Sequence, residues 1–276
     1  MQLSEAQIER FSRHILLPEV GGAGQRKLLA SSALVVGAGG LGSPALLYLA
    51  AAGVGRLGIV DGDAVELSNL HRQIAHTARD VGRNKALSAA EAIHAIRPDC
   101  AVWALPERLR AENVCDALRG YDLVLDGSDN FPTRFLVADA CWLAGIPLVS
   151  AAVIQFGGQL MTVLPGKGNP CYRCFLPEPP PPETMPTCAQ AGVLGPLAGV
   201  MGTLQATEAL KVLLGLDGLL THATLVVDAL DWSFLTARRA PNPACALCGN
   251  EPTIHDVADA QEALCCPEGR CVTASA

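Results

Sequence analysis

Apolar runs and amphipathic stretches alternate along this chain, and their order predicts its elements. Ala33-Leu34-Val35-Val36 is a short continuous apolar run, followed by Gly37-Ala38-Gly39-Gly40-Leu41-Gly42, an Ala/Leu-rich segment to Gly53, and a second apolar run ending at Asp61. The pattern reads as strand, glycine turn, helix, strand and acid. Upstream, residues 4–16 read as a helix ending at Pro18, with Ser4 and Gln7 spaced as a capping box; Gly21, Gly22 and Gly24 predict a loop before the first strand. Downstream the alternation continues with a helix over 84–96, a strand over 101–105, a helix over 112–118, a strand over 122–125, a helix over 134–144 and a strand over 147–154. Such spacing implies an α/β domain, Rossmann-like, with a mostly parallel sheet covered by helices on both faces.

From residue 159 the pattern changes. A strand-like run over 159–164 leads to Cys171 and Cys174, then to Pro177-Glu178-Pro179-Pro180-Pro181-Pro182, which can continue neither a helix nor a central strand. A long apolar helix from about residue 193 follows, then strand candidates over 224–229 and 233–237, then Cys245 and Cys248. The helix contains Gln205, Glu208 and Lys211, each costly at a bilayer centre, so it reads as a buried helix and no membrane span is expected. Residues 251–276 have weak periodicity and read as a tail with at most one docked segment. The expected organisation is one domain over 1–250, with a nucleotide-binding core over about 30–155 and a cysteine-bearing C-terminal part.

Composition narrows the function. Half of the 276 residues are hydrophobic, and the net charge of −7 argues against general nucleic-acid or membrane-surface affinity. The N-terminus is charged and lacks a signal-type apolar core, which points to the cytoplasm. There, eleven cysteines are thiols or metal ligands rather than a disulfide framework. Cys100, Cys115 and Cys141 fall inside element patterns and are expected to fill the core, whereas Cys265, Cys266 and Cys271 belong to the tail.

Gly37, Gly39 and Gly42 allow a tight turn, close approach of backbone to phosphate, and close helix-on-strand packing, while Asp61 is placed to accept from ribose hydroxyls. Asp126-Gly127-Ser128-Asp129-Asn130 follows a strand, at the edge where open α/β sheets bind ligands. Its aspartates could hold magnesium shared with substrate phosphates, or Asp129 could simply cap the next helix. Arg72 and Lys85 add the cations that a triphosphate requires beyond a pyrophosphate. Cys171-x2-Cys174 and Cys245-x2-Cys248 have the stoichiometry of a structural zinc site, although the seventy residues between the pairs leave free or redox cysteines open.

These segments, with Arg10-Phe11-Ser12-Arg13-His14-Ile15, Leu67–Gln73, Val81–Lys85 and the stretch 192–206, resemble the MoeB/ThiF/HesA family, relatives of the ubiquitin-activating enzymes. The resemblance runs in order from about residue 4 to 249. It implies ATP-dependent adenylation of the C-terminal glycine of a small ubiquitin-like sulfur carrier ending in Gly-Gly, with release of pyrophosphate. By position it implies that Asp129 holds Mg2+, Arg72 and Lys85 neutralise phosphate, Asp61 and Asn69 hold the nucleoside, and Gly40 lines the phosphate turn. Arg13 matches an arginine inserted from the partner of a homodimer. The four paired cysteines match zinc ligands that staple the C-terminal part. Cys188 matches a cysteine that some members use to form a covalent link with the carrier or relay sulfur. Many relatives carry a rhodanese domain after the zinc site; with none expected here, the sulfur donor is expected to be a separate protein. The stretch near Gly195-Pro196 looks somewhat like ThiF, yet the molybdopterin and thiamine pathways both stay open.

Three rivals remain at this stage: adenylation of a different carboxylate, such as one on a modified tRNA nucleoside; a Rossmann NAD(P)-dependent oxidoreductase; and a zinc-stabilised binding module without turnover. The oxidoreductase has no use for Arg72, Lys85 and Asp129 as a set.

Overall fold

The apolar runs lie side by side in one eight-stranded sheet. The computed structural model describes residues 2–181 and 188–258. In chain order the elements are α1 (Glu5–Arg10), α2 (Ser12–Ile15), α3 (Gly21–Ala30), β1 (Ser32–Val36), α4 (Gly42–Ala52), β2 (Arg56–Val60), α5 (Lys85–Ile96), β3 (Ala101–Leu105) and α6 (Ala111–Leu118). They continue with β4 (Leu123–Asp126), α7 (Phe131–Ala144), β5 (Leu148–Ile154), β6 (Gly157–Val163), α8 (Tyr172–Phe175), α9 (Cys188–Ala191), α10 (Gly195–Leu214), β7 (Ala223–Asp228) and β8 (Ser233–Arg238). The strand order is β3-β2-β1-β4-β5-β6-β7-β8. The first five strands pair in parallel and the last three join antiparallel.

Both faces of the parallel part are covered, which is why β1 and β4 read as unbroken apolar runs and are buried at every position. Ala33 and Val35 point into a core shared with Leu46, Leu49, Ile93 and Met201 of α4, α5 and α10. Leu34 and Val36 point the other way, toward Val114 and Leu118 of α6 and Phe135 of α7. Helix α10 has the length and hydropathy of a membrane span but packs on α4, β5 and β6. Its Gln205 Nε2 donates to the carbonyls of Asp126 and Val149 at 2.8 and 2.9 Å, joining α10 to β4 and β5.

Three expectations need correction. Residues 21–24 are not a loop: α3 starts at Gly21, and a Cβ on Gly24 would sit 3.0 Å from Leu214, so the small residue lets α3 lie against the end of α10. Packing here outweighs the low helix propensity of glycine. The helix expected over 4–16 begins with its Ser4/Gln7 capping box but breaks at Phe11, which is buried at Gly53 and separates α1 from α2. Cys115 is exposed, because the inward face of α6 is Val114, Ala117 and Leu118; Cys100 and Cys141 are buried as expected. Cys265, Cys266 and Cys271 lie outside the described residues. At the start of the expected tail, Ile254 packs with Cys171, Cys245 and Leu247.

Candidate active site and metal centre

The strand order reverses between β1 and β4, and the carboxyl edge at such a switch point is open to ligands. The glycine turn sits there. Gly37 has φ +88° and would meet the Gly127 carbonyl oxygen at 3.0 Å if it carried a Cβ, so the turn lies directly on the loop after β4. Gly42 opens α4, and a Cβ there would collide with the Gly37 carbonyl. The amides of Gly39, Gly40 and Leu41 donate to no backbone acceptor among the described residues, which leaves a row of N–H groups for an anion.

Around this turn the structure gathers most of the expected residues. Asp61 accepts from the backbone N–H of Ala38 at 2.8 Å and of Asp63 at 2.9 Å, tying β2 to the turn. Burial raises its pKa above the usual carboxylate value, against the opposing pull of Lys85. Arg72 lies across Gly40, with its Cγ 3.5 Å from where a Cβ would be, and its guanidinium donates to the Ser68 carbonyl and to His71 Nε2. Asn69 is buried, and its Oδ1 accepts from the Glu66 N–H at 3.0 Å, which closes the turn before Arg72. Lys85 is buried at the start of α5, with Nζ 3.3 Å from Asp63 Oδ2. Burial works to raise the Asp63 pKa, but Arg108 and Lys85 outweigh it and hold the carboxyl below its ordinary value. Asp129 is exposed in the loop after β4, and the helix cap is supplied by Asn130, whose Oδ1 accepts from the Thr133 N–H at 2.9 Å. Capping therefore does not account for Asp129.

Arg13 lies elsewhere. Its α2 packs with α3, and neighbouring groups bind the far ends of α4 and α5: Arg10 donates to the Ile96 carbonyl, and Gln25, which meets His14, donates to the Ala52 carbonyl. The eleven-residue α4 puts about 16 Å between that end and the glycine turn. Cys188 opens the four-residue α9; its side chain lies outside the described residues. Beside α9, an open groove of about 500 Å³ runs along Gln155, Phe156 and Ala191–Leu194.

The residue pattern gave no sign of His76. It is buried, with Nε2–H donating to the Ala38 carbonyl at 2.9 Å and Nδ1 accepting from Ser88 Oγ at 2.8 Å. Burial lowers its pKa, which favours the neutral tautomer those two bonds need. It props the turn from beneath. Asp63 was likewise missed as the partner that holds Lys85 in place.

The four paired cysteines meet in space. Their sulfurs all lie within 4.8 Å of one another, with Cys171–Cys245 at 3.5 Å, Cys174–Cys248 at 3.3 Å and Cys171–Cys174 at 3.8 Å. Sulfurs at the corners of a tetrahedron around zinc would be about 3.8 Å apart, from a Zn–S bond of about 2.3 Å. The hydrogen bond from Cys171 pulls Cys245 down to about 4, whereas burial foremost pushes Cys248 up to about 12. Four adjacent thiolates need a cation to coexist, so the cluster could hold a divalent metal.

Residues 11–249 match the model of the ThiF family. Over 271 residues the chain is 52% identical to the sulfur carrier protein adenylyltransferase of Thermus thermophilus, covering 96% of this chain and 99% of that one. It is 49% identical to the SAMP-activating enzyme E1 of Haloferax volcanii, covering 90% and 92%. It is 50% identical to the adenylyltransferase and sulfurtransferase MOCS3 of Mus musculus, where the match covers 95% of this chain and 57% of that protein. Among solved structures, E. coli MccB with succinimide shares the fold at a TM-score of 0.77 and 20% identity, over 90% of this chain and 75% of that one. With the family model spanning the sheet, the glycine turn and both cysteine pairs, this chain belongs to the ThiF family.

Proposed function

We propose that this protein is an adenylyltransferase that activates the C-terminal glycine carboxylate of a small ubiquitin-like sulfur carrier with ATP. The observation that carries the reading is one edge of the sheet bearing the amides of Gly39, Gly40 and Leu41 and the carboxylate of Asp129, all without a partner among the described residues, together with Arg72 and Lys85. Both reactants are anions, so neutralisation and alignment lower the barrier more than a protein base would. The carboxylate oxygen attacks the α-phosphorus, the bond from that phosphorus to the bridging oxygen breaks, and pyrophosphate leaves. Arg72 and Lys85 offset charge on the phosphates, the glycine turn cradles them, and Asp61 and Asn69 face the nucleoside. Asp129 would hold Mg2+, which supplies further charge neutralisation on the phosphate oxygens when bound. The apolar groove by Leu194 suits an extended carrier tail. The donor set of four thiols suits Zn2+ on Cys171, Cys174, Cys245 and Cys248.

One relative is named for a sulfur carrier and another for SAMP activation, and neither a tRNA carboxylate nor a nicotinamide cofactor is favoured. Pyrophosphate exchange with purified carriers ending in Gly-Gly tests the reading. Exchange that depends on one carrier is expected; NAD binding without exchange on any carrier would overturn it. We place the enzyme in the cytoplasm, with its sulfur donor a separate protein.

Arg13 makes sense in a homodimer, since its own glycine turn is at the opposite end of α4. Mixing inactive Arg13→Ala subunits with inactive Asp129→Ala subunits is expected to restore activity to hybrid dimers, one of whose two sites then has both residues. No recovery after demonstrated subunit exchange would count against the trans role. For Cys188, the expectation is that Cys188→Ala keeps pyrophosphate exchange but blocks sulfur transfer, because only the later step needs a nucleophile. Full sulfur transfer by the mutant would remove the thiol from the mechanism.

A further inference from the structure

Asp129 is exposed, yet the chain is held on both sides of it. On one side Asn130 caps α7. On the other, the Ser128 carbonyl accepts from Arg134 at 2.6 Å, while Ser128 N–H and Oγ–H both donate to Asp126 Oδ1 at 3.0 and 2.6 Å. Arg134 and Tyr172 also border one small cavity, and burial raises the Tyr172 pKa against the opposing pull of the Arg134 guanidinium. Tyr172 is the residue between Cys171 and Arg173, 4% exposed, with its ring edge-on to Phe135 at 5.4 Å.

Helix α8, which begins at Tyr172, cannot easily slide along α7. Arg173 grips Asp139 through three hydrogen bonds of 2.8 to 3.1 Å, both residues being almost fully buried, and its guanidinium lies 4.9 Å from the Phe135 ring centre. Cys171 and Cys174 anchor the same helix to Cys245 and Cys248. The contacts form a continuous line from the cysteine cluster through Tyr172 and Arg134 to Ser128.

We propose that Tyr172 and Arg134 are positioning residues, a brace through which the cysteine-bearing helix α8 fixes the Ser128–Asp129 segment for cation binding. The brace rests on the reading of Asp129 as the magnesium ligand. A ligand loop held by a charged donor and a helix cap loses less freedom when it takes up a metal, so its affinity is higher. The cysteine cluster then contributes to nucleotide chemistry from a distance, beyond stapling the C-terminal part.

The test uses Tyr172→Phe, Arg134→Gln and Arg134→Lys in the full chain, each first checked for retained cysteine-bound metal. Two quantities are read: the Mg2+ concentration giving half-maximal carrier-dependent pyrophosphate exchange, and amide hydrogen exchange over residues 127–130. Loss of a charge-assisted hydrogen bond is expected to raise the Mg2+ requirement on the order of tenfold in Arg134→Gln. The rate at saturating Mg2+ should fall much less, Arg134→Lys should recover part of the loss, and amide exchange over 127–130 should accelerate. Tyr172→Phe removes only a hydroxyl and should shift both quantities in the same direction, which keeps the test informative should Arg134→Gln misfold. Unchanged Mg2+ dependence and unchanged amide exchange in both variants would overturn the brace. Wild-type protein with no exchange on any carrier would instead refute the adenylation reading, and the amide exchange over 127–130 would still decide whether the brace exists.

Discussion

Replacing Asp129 with alanine is expected to lower carrier-dependent ATP–pyrophosphate exchange at least about 100-fold, the scale of losing one preorganised charge-stabilising group. The fold should hardly notice. Asp129 is exposed, makes no cap and supports no core contact, so the stability change should stay within about 0.5 kcal/mol. Asp126, three residues earlier, would behave in the opposite way: it is buried and takes three hydrogen bonds from Ser128 and Ser150, so its loss should unfold the loop rather than silence an intact enzyme. Exchange rates and melting curves on Asp129→Ala together check this. A mutant that exchanges near the wild-type rate would remove magnesium from Asp129.

The second large effect is on stability. Cys248→Ser should bring bound zinc from about one per chain to near none, because the remaining three sulfurs no longer close a tetrahedral set. At such a site metal-binding energy is folding energy. The loop from Asn242 to Gly249 is held to Cys171 and α8 through these sulfurs, aided by the Asn242 N–H to Cys174 Sγ contact and the small cluster around Leu247 and Ile254. A drop in melting temperature of roughly 10 °C follows for a chain of this size if about 3–5 kcal/mol is lost. Elemental analysis and thermal melts read both effects; unchanged metal content and melting would mean that the cluster is not a metal site.

The parts of this molecule that were legible in advance are those where local pattern and fold agree. The run Ala33–Val36, the glycines to Gly42 and Asp61 fall where the motif puts them, because a strand buried on both faces has to be apolar throughout and a left-handed Gly37 tolerates little else. The long apolar segment was rightly read as a core helix, since Gln205 and Glu208 find buried partners there. Misreadings arose where tertiary contacts overrode local signals. Gly21–Gly24 looks like a loop until Leu214 of α10 is there to pack on it, and Cys115 looks like core until the neighbouring Val114 and Leu118 define the inward face. His76 and Asp139 could not be singled out at all: their partners, Ala38 and Arg173, are 38 and 34 residues away. Arg13 was singled out only through resemblance, and its α2 lies toward the end of α4 remote from its own glycine turn.

The central claim is adenylation of a carrier's terminal glycine, and label transfer from ATP tests it most directly. The enzyme is incubated with a Gly-Gly carrier, Mg2+ and ATP labelled at either the α- or the γ-phosphate, and the carrier is isolated at once under acidic conditions. The account predicts that α-label travels with the carrier, that γ-label appears only in pyrophosphate, and that removing the carrier's last glycine abolishes both. Label reaching the carrier from the γ-position, or α-label that persists on a carrier lacking the terminal glycine, would contradict it.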